Sequence, residues 1–501
     1  MPALWRAARA RFGDLPAIVD GDGGVTSYAG AETRIAGWID RLRGAGLPAG
    51  AVILFSSEPA AGLFPAFWAA VHLGQAVVAV DPSAPVDATL ATARRLGVSA
   101  ILTDRPDAFG PATGMAILSA DTPLHGPAAI ADVPDPAPET PAVIALTSGT
   151  TADSKAVVLS HASLVRNARA TVRSMRIGPG DRSLTAAGVH VLGCLRRNFV
   201  DTVCSGGAFC VGPDGGVGQV AAIWQRAADT GATNLWCPPA AVAMARALRS
   251  TGHLPEAPAL RLIQTGGSPM TRQTVQETAG SLGARILVYY GSTEAGGPCT
   301  AHEPGATARE PSDIVLGMPI EMEADVRTSE GQSCADDEPG ELWLRSDRMM
   351  LGYATNTGLD RSVFVDGWYR TGDVVRRSAD GELVMLGRLS NSFSLPSGQL
   401  VSPEGVEAAM EMHPAVAACA AAPVRLADRR EVLAVLVTPA AGASPSRTLE
   451  RDLRLWAREK LGPAFVPAQV VLAAALPRTG IGKIDRAALP AAIAAAVRPP
   501  G

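Results

Sequence analysis

A short stretch of hydroxyl, glycine and lysine residues has the composition of a phosphate-binding loop. Apolar residues 142–146 predict a buried strand before it, and a helical pattern begins after it near His161. The hydroxyl groups can donate hydrogen bonds, Gly149 lets the backbone approach an anion, and Lys155 supplies positive charge. A strand followed by such a turn is typical of a phosphate cradle, while an ordinary Ser/Thr-rich surface turn is the alternative. The residues assigned to this loop are Thr147, Ser148, Gly149, Thr150, Thr151 and Lys155.

Aromatic and acidic residues lie at the ends of later predicted strands. The apolar run 286–289 leads into residues 290–294, which have the sequence Tyr-Gly-Ser-Thr-Glu. A second predicted strand ends in residues 367–373, which have the sequence Gly-Trp-Tyr-Arg-Thr-Gly-Asp, and a third ends at Arg388. An aromatic face suits a purine base, and a carboxylate suits a hard cation or a pair of hydroxyl groups. Each motif taken alone also fits a simple turn.

A lysine near the end of the chain follows two glycines in a short turn. Residues 477–486 have the sequence Pro-Arg-Thr-Gly-Ile-Gly-Lys-Ile-Asp-Arg, in which the lysine is Lys483. A mobile ammonium group of this kind can contact a carboxylate and a phosphate together and neutralise charge that develops on phosphorus. We therefore predict a catalytic role for Lys483, with a solvated surface lysine as the alternative.

Composition narrows the class of protein. A chain of 501 residues usually forms two or more domains, and 47% hydrophobic with 18% charged residues is typical of a globular protein. A net charge of −4 gives no basic footprint for nucleic acid, and no apolar run is long enough for a membrane helix. The first residues lack an apolar signal core, and seven scattered cysteines without C-x-x-C suggest reduced thiols and no zinc site. A cytoplasmic location is the resulting expectation.

The alternation of strand and helix patterns predicts an α/β fold. Helix-covered parallel sheets should form a large N-terminal domain of residues 1–388, with a β-rich subdomain before Arg388. Residues 389–501 should form a small, mobile α+β domain that caps the large one. The predicted strands are residues 51–55, 76–80, 260–263, 432–437 and 469–472, and the predicted helices are 62–72, 404–412 and 448–461.

Taken in order, five motifs resemble those of the adenylate-forming superfamily, which includes acyl-CoA synthetases, peptide-synthetase adenylation domains and luciferases. The phosphate loop resembles T-S-G-T-T-G-x-P-K-G and departs from it at Ala152, Ser154 and Ala156. The resemblance implies binding of ATP and Mg²⁺ and conversion of a carboxylic acid into an acyl-adenylate. It further implies that Tyr290 stacks on adenine, and that the α-phosphate is bound by Thr293. The implied nucleotide-binding set is the loop with Gly266, Gly267, Ser268, Tyr290, Thr293, Asp373 and Arg388, and Glu294 is the implied metal ligand.

An acyl pocket is implied along the segment after His190. A helix running to Gly206 would place Cys194, Asn198 and Asp201 on one side. His190 would close over the acid carboxylate, unless it is a satisfied core histidine. Asp201 would accept an N–H from the substrate, unless it pairs with a neighbouring arginine. The substrate-binding residues so implied are His190, Cys194, Asp201, Gly267, Gly291 and Ala295.

The segment after Arg388 departs from the superfamily pattern G-R-x-D-D-x-I-K. Ser390 and Asn391 replace both acidic residues, Ser394 lies at or near the position of the lysine, and Gly405 replaces a later glutamate. Since relatives swing this segment into the site for thioester formation, the departure favours an amine over coenzyme A or a carrier-protein thiol. The whole chain resembles ATP-dependent amide bond synthetases that couple a β-carboline-3-carboxylic acid to arylethylamines. Its expected partners are a small acid and an amine, without a fused carrier domain; an inactive nucleotide-binding protein is the remaining alternative.

Overall fold

A computed structural model of the chain describes most of its residues. They are 1–57, 60–110, 114–120, 130, 133–147, 154–213, 219–303, 305, 310, 313–355, 358–394, 400–425, 431–440, 442–478 and 484–496. No helix among them is long and apolar enough to cross a membrane.

Helices surround the sheets in both halves of the chain. They are α1 (Pro2–Phe12), α2 (Tyr28–Gly44), α3 (Ala60–His72), α4 (Val86–Arg95), α5 (Pro106–Phe109), α6 (His161–Met175), α7 (Leu192–Leu195), α8 (Thr202–Ser205), α9 (Val220–Thr230), α10 (Pro239–Ser250), α11 (Arg272–Leu282), α12 (Pro403–Glu411), α13 (Arg447–Leu461) and α14 (Leu489–Ala496). A turn of π-helix, Arg196–Asp201, joins α7 to α8. Side-chain caps start the longer helices: Ser160 Oγ accepts the Ser163 N–H at the start of α6.

The strands form two large sheets and two small ones. They are β1 (Pro16–Val19), β2 (Val25–Ser27), β3 (Val52–Ser56), β4 (Ala76–Ala79), β5 (Val98–Thr103), β6 (Ala116–Ser119), β7 (Pro141–Leu146), β8 (Ala156–Ser160), β9 (Arg182–Thr185), β10 (Ala208–Cys210), β11 (Asn234–Trp236), β12 (Leu262–Gly266), β13 (Arg285–Ser292), β14 (Gly297–His302), β15 (Ile314–Pro319), β16 (Glu323–Arg327), β17 (Gly340–Arg345), β18 (Gly352–Thr355), β19 (Gly358–Asp360), β20 (Phe364–Val365), β21 (Trp368–Arg377), β22 (Leu383–Arg388), β23 (Phe393–Ser394), β24 (Leu400–Val401), β25 (Val416–Arg425), β26 (Glu431–Pro439) and β27 (Gln469–Leu472).

Parallel strands lie at the centre of both large sheets. One sheet has the order β19-β18-β8-β7-β4-β3-β5-β6, in which β7, β4, β3, β5 and β6 run parallel. The other has 14 strands in the path β16-β17-β21-β22-β15-β14-β13-β12-β11-β9-β10-β1-β2, with β20 beside β21. Its strands β9 to β13 run parallel, whereas β14 to β22 are antiparallel. The apolar runs of the parallel strands are buried on both faces, as helix-covered sheets require.

The C-terminal part of the chain forms a separate α+β domain with a core of its own. Its three-stranded sheet β25-β26-β27 packs against α12 and α13 through a cluster that includes Val406, Met410, Val435 and Leu453. The predicted fold class is therefore confirmed: a large α/β domain with a β-rich part, followed by a small domain.

Most predicted elements are present within a few residues of their expected bounds. The prediction missed β8, which pairs with β7 directly before α6. It was also wrong to extend one regular helix from residue 194 to Gly206, because the π turn interrupts it. Such a turn adds a residue to the helical repeat, and the alternation of apolar and polar residues does not reveal it.

Candidate active site

The two ends of the predicted phosphate loop are joined by hydrogen bonds. Thr147, at the end of β7, donates its N–H to the Lys155 carbonyl oxygen at 3.0 Å, and its Oγ1 accepts the Lys155 N–H at 3.1 Å. The loop therefore leaves and re-enters the sheet at one point, where β7 and β8 meet. The predicted loop residues Ser148, Gly149, Thr150 and Thr151 lie outside the described residues.

Lys155 and Glu294 meet at the ring of Tyr353. The Lys155 ammonium lies 4.8 Å from the centre of that ring, within the range of a cation–π contact. The Tyr353 hydroxyl donates a hydrogen bond to Glu294 Oε1 at 2.8 Å, so one buried side chain positions both the cation and the carboxylate. A groove of about 320 Å³ opens here, and its walls include Arg95, Ser154, Lys155, Tyr353, Asp360 and Ser362.

Tyr290, Asp373 and Arg388 form a second polar cluster. The Tyr290 hydroxyl donates to Asp373 Oδ2 at 2.6 Å, and Arg388 Nε donates to Asp373 Oδ1 at 2.5 Å. Strands β21 and β22 bring the two charged residues together, since Asp373 and Arg388 are paired in register. Burial and the adjacent carboxylate raise the pKa of Tyr290 well above its usual value, which keeps the hydroxyl a donor.

The carboxylate of Asp373 is only 1% exposed in this arrangement. Each of its oxygens nevertheless has more than one lone pair, so it can accept further bonds from ribose hydroxyls beside its protein partners. The prediction of a ribose contact therefore requires some opening around Arg388, whose side chain is half exposed.

The glycine bend after β12 lies beside the aromatic end of β13. Gly266 is paired with Tyr289, and a Cβ at Gly266 would lie 2.4 Å from the Tyr289 carbonyl oxygen. Gly267 has φ of +85°, a conformation that glycine adopts without strain. The bend that carries Ser268 therefore begins beside the strand that carries Tyr290, and its contact with a nucleotide stays a prediction.

The predicted acyl pocket is only partly as expected. Burial lowers the pKa of His190, with the charge of Asp81 opposing, so the imidazole is neutral near pH 7. Cys194 is fully buried, and burial raises the pKa of its thiol to about 12, which excludes a thiolate nucleophile there. Ala295 is also fully buried, whereas Gly291 is exposed.

Asp201 has a partner within the protein, and its contact with the substrate stays a prediction. Arg196 Nη1 donates to both carboxylate oxygens of Asp201, at 2.6 and 2.8 Å, and both side chains are almost fully buried. The π turn explains this contact, because residues five apart lie above one another in a π-helix and on different faces of an α-helix. The alternative interpretation, an arginine-paired carboxylate, describes the structure.

The described residues on both sides of Lys483 anchor the turn that carries it, although the lysine itself lies outside the described residues. Arg478 and Ile484 form an antiparallel bridge, and Arg486 donates to both carboxylate oxygens of Glu407 at 2.8 Å. Burial raises the pKa of Glu407 to about 7, and the arginine opposes that rise. Both ends of the turn are therefore attached to the sheet and helix of the small domain.

The altered hinge segment is bound to a residue beside Arg486. Asn391 Nδ2 donates to Glu404 Oε1 at 2.7 Å, and the same oxygen lies 3.3 Å from Arg486 Nη2. An aspartate at position 391, as in the superfamily pattern, would place a second carboxylate against Glu404. The replacement by Asn391 therefore suits the buried position of Glu404.

The donor set of the site fits a magnesium nucleotide. No three His, Cys, Asp or Glu side chains converge to bind a metal anywhere in the described part of the chain. Glu294 would thus be a single carboxylate ligand, and Mg²⁺ commonly binds through one or two carboxylates together with phosphate oxygens and water. Lys155, which contacts the same tyrosine as Glu294, supplies the positive charge.

Comparison with protein families identifies the class to which this fold and site belong. Residues 4–354 match the family model of AMP-binding enzymes, and residues 405–483 match that of the AMP-binding enzyme C-terminal domain. The chain therefore belongs to the AMP-binding enzymes, which are the adenylate-forming superfamily.

Several relatives are similar to the chain over most of its length. Phenyloxazoline synthase MbtB of Mycobacterium sp. (strain MCS) is 30% identical over 95% of the chain, which spans only 40% of that protein. Sulfoacetate–CoA ligase of Cupriavidus necator is 28% identical over 72% of the chain and 68% of its own length.

Two solved structures share the fold. The anthranilate CoA ligase AuaEII in complex with anthranoyl-AMP superimposes with a TM-score of 0.87 and 20% identity, over 99% of this chain and 98% of that one. The amide bond synthetase McbA from Marinactinospora thermotolerans superimposes with a TM-score of 0.83 and 23% identity, over 97% and 98% of the two chains. At these identities the similarity shows the fold alone.

Sequence reasoning missed two residues that organise the site. Tyr353 follows a predicted strand as Gly-Tyr, and an aromatic residue at that place was its only signal. Glu404 occupies a variable position of the superfamily pattern, so its link to Asn391 could not be read from the motif.

Proposed function

We propose that this protein is an ATP-dependent, AMP-forming amide bond synthetase, which adenylates an aryl carboxylic acid and transfers the acyl group to an amine. The observation that carries the choice of acceptor is the hinge segment, where Ser390 and Asn391 replace two acidic residues and Asn391 is bound to Glu404. The remaining site residues support the adenylation step, which the alternatives share.

In the first step, a carboxylate oxygen of the acid attacks the α-phosphorus of ATP. The bond from that phosphorus to the bridging oxygen breaks, and pyrophosphate leaves with the electron pair. Lys155 binds the phosphates, and Glu294 would hold Mg²⁺, whose charge stabilises them. Lys483 contacts the attacking carboxylate and the α-phosphate, and orientation of two anionic reactants in line supplies much of the rate.

In the second step, the amine attacks the acyl carbon of the mixed anhydride. A C–N bond forms, the C–O bond to the phosphate breaks, AMP leaves, and the amine loses a proton to solvent. His190, which burial keeps neutral, can contact the acid without adding a second positive charge. Cys194 supplies no competing nucleophile because its thiol stays protonated.

Small residues favour a flat aromatic acid. We propose that Gly267, Gly291 and Ala295 leave room for a ring system, and that a β-carboline-3-carboxylic acid is the first acid to test. We also propose that the large domain ends at residue 388 and that the small domain turns about the hinge to bring Lys483 to the site.

The strongest competing function is an aryl- or acyl-CoA ligase. The relatives named above include two CoA ligases, and this alternative uses the same adenylation step. An enzyme that loads a carrier protein belongs to the same class of alternatives, because its acceptor is also a thiol.

The deciding experiment supplies the acceptors separately. Enzyme, ATP, Mg²⁺ and an aryl acid are incubated with a free arylalkylamine, with coenzyme A, or with neither, and products are identified by mass spectrometry beside pyrophosphate release. We expect the amide and AMP in the first reaction. Thioester with coenzyme A and no amide would overturn the choice of acceptor, and absence of pyrophosphate with every acid would overturn adenylation itself.

A further inference from the structure

Buried polar atoms without partners are concentrated on one wall of the large domain. Gln264 on β12 is 0% exposed, and neither its amide oxygen nor its amide nitrogen has a hydrogen-bond partner among the described residues. The same holds, within that part of the chain, for Asn198 Oδ1, Arg197 Nε and the Tyr289 hydroxyl. Unpaired buried groups of this kind are costly, so a ligand or water with matching hydrogen bonds is expected there.

The strand register places these side chains on one face of the sheet. In parallel strands, paired residues point to the same side, and Gln264 is paired with Trp236 and Leu287. Two residues further along each strand, Gly266 is paired with Tyr289. Gln264 therefore lies on the same face as the glycine bend, about 7 Å further from the carboxyl end of its strand.

The π turn covers this face. Arg197 Nη2 donates to Asn234 Oδ1 at 2.9 Å, and Asn234 precedes Trp236 by two residues on the same face. Asn198 Nδ2 donates to Thr185 Oγ1 at 3.1 Å, which places the turn above β9 as well. The unpartnered atoms thus lie between the sheet and the π turn, below the bend that we assign to the acyl pocket.

We propose that this polar wall recognises a neutral group on the acid, at the end opposite its carboxylate, that both donates and accepts hydrogen bonds. An aromatic hydroxyl, amino or ring N–H group has this chemistry, and Gln264 is its principal partner. The proposal rests on the function proposed above and names the class of acid that the site accepts.

The balance of donors and acceptors decides against the other classes of acid. A hydrocarbon tail would leave the amide of Gln264 unpaired, and pockets built to bond an OH or NH strongly reject analogues that lack it. A second carboxylate could accept hydrogen bonds from Arg197 Nε and the Gln264 amide nitrogen, but it has no proton to donate and would leave the amide oxygens of Gln264 and Asn198 unpaired.

The test compares matched acids in ATP–pyrophosphate exchange. The acids are benzoate, 4-hydroxybenzoate, 4-aminobenzoate and terephthalate, together with naphthalene-2-carboxylate against indole-5-carboxylate, whose N–H lies far from the carboxylate. We expect kcat/KM for the hydroxyl, amino and N–H acids to exceed that of the unsubstituted partner by at least about tenfold. In the Gln264→Met variant, we expect that ratio to fall by about tenfold.

The control variant is Thr265→Val. Thr265 is the next residue on β12, is equally buried, and its hydroxyl also lacks a partner among the described residues, but it points to the opposite face. We expect its selectivity to equal that of the unchanged protein. Should Gln264→Met fail to fold, Asn198→Leu tests the same wall.

The possible results separate this inference from the proposed function. Three results would overturn the inference alone. They are equal exchange rates with all acids, a preference for terephthalate or benzoate, and an unchanged ratio of kcat/KM values in Gln264→Met. The absence of exchange with every acid would overturn both.

Discussion

Lysine is rare in this protein, so each lysine can be considered separately. The chain has only three, Lys155, Lys460 and Lys483, while arginine supplies the remaining positive side chains. Lys155 lies over the ring of Tyr353, and Lys460 pairs with Glu459 on the small domain. An ammonium group on a flexible stem can follow a phosphate through its change of geometry, whereas the planar guanidinium prefers a fixed two-point contact.

Lys483→Ala should abolish adenylation and spare nucleotide binding. Removal of a cation that stabilises charge mainly in the transition state lowers the rate of pyrophosphate release by a factor of about 10² or more. Stopped-flow measurement of that release, beside calorimetric titration with ATP, tests this. Lys460→Ala is the matched control and should leave both quantities unchanged. Near-normal release by Lys483→Ala would remove the role assigned to it.

Tyr353 should affect the metal and the phosphates through different parts of its side chain. Tyr353→Phe removes the hydrogen bond to Glu294 but keeps the ring beneath Lys155. Loss of one such bond weakens the apparent affinity for Mg²⁺ by about fivefold, and Tyr353→Leu should weaken ATP binding further.

The measurement is the Mg²⁺ dependence of pyrophosphate release at saturating ATP. Tyr28→Phe is a suitable control, because the Tyr28 hydroxyl bonds, within the described part of the chain, to the backbone carbonyls of Thr202 and Gly207. An unchanged Mg²⁺ dependence in Tyr353→Phe would mean that Tyr353 does not position Glu294.

At the scale of single elements, the π turn is the least regular part of the fold and a feature on which the proposed substrate wall depends. It aligns Arg196 with Asp201 and turns Arg197 and Asn198 towards the sheet. An uninterrupted α-helix with the same sequence would direct these four residues differently. We expect the ion pair between Arg196 and Asp201 to help hold this turn in place.

Arg196→Met should destabilise the protein strongly. It leaves the carboxylate of Asp201 buried without its partner, which typically costs about 3–5 kcal/mol of unfolding free energy. Replacing both residues, as Arg196→Met with Asp201→Leu, should restore most of that loss. Urea unfolding measures both effects, and Arg173→Met, which breaks an exposed pair with Glu321, should cost less than about 1 kcal/mol.

The same variants test whether Asp201 contacts the substrate. If Asp201 binds Arg196 and does not contact the substrate, Asp201→Asn should lower stability and leave the KM for the acid nearly unchanged. A large rise in that KM, with stability kept, would restore the original prediction for Asp201.

The elements show which features a sequence can predict. Strands such as β27 have an apolar run bounded by turn residues, and the prediction for residues 469–472 agrees with its bounds. Motif order located the partners Tyr290, Asp373 and Arg388, which lie on β13, β21 and β22 of one sheet. The π turn has no comparable signal, since a single added residue in a helical repeat depends on packing against the sheet.

For the whole molecule, the separate hydrophobic cores explain how a large and a small domain arise from one chain. Among the described residues, the buried cluster of the small domain begins at Val401, and Phe393 packs against it, so this domain has its own centre of packing. The sequence predicted this division from composition and motifs. It could not predict the contact of Asn391 with Glu404, which depends on two residues that no shared pattern specifies.

Several buried ionisable groups make the stability of the molecule depend on pH in opposite directions. Burial raises the pKa of Asp201 to about 6 and that of Glu407 to about 7, so their contribution is greatest at low pH and is lost as pH rises through those values. Burial lowers the pKa of His72 to about 4 and that of His161 to about 3, which has the opposite effect. Stability of the unchanged protein therefore combines both trends.

His161→Leu should isolate the pH dependence that one buried histidine contributes to stability. His161 begins α6, is 2% exposed, and neither ring nitrogen has a partner among the described residues. Its unfolded form binds a proton below pH about 6.5 whereas its folded form stays neutral, so its contribution is full above that pH and falls as pH falls towards 3. Since the acidic groups are the same in both proteins, the difference in unfolding free energy should shift in favour of the variant by about 1 kcal/mol between pH 6.5 and pH 5.5, because the unfolded histidine is half protonated at the first pH and mostly protonated at the second. Urea titrations at the two pH values test this, with exposed His253→Leu as the control, and a difference that does not change with pH would show that His161 becomes charged in the folded protein.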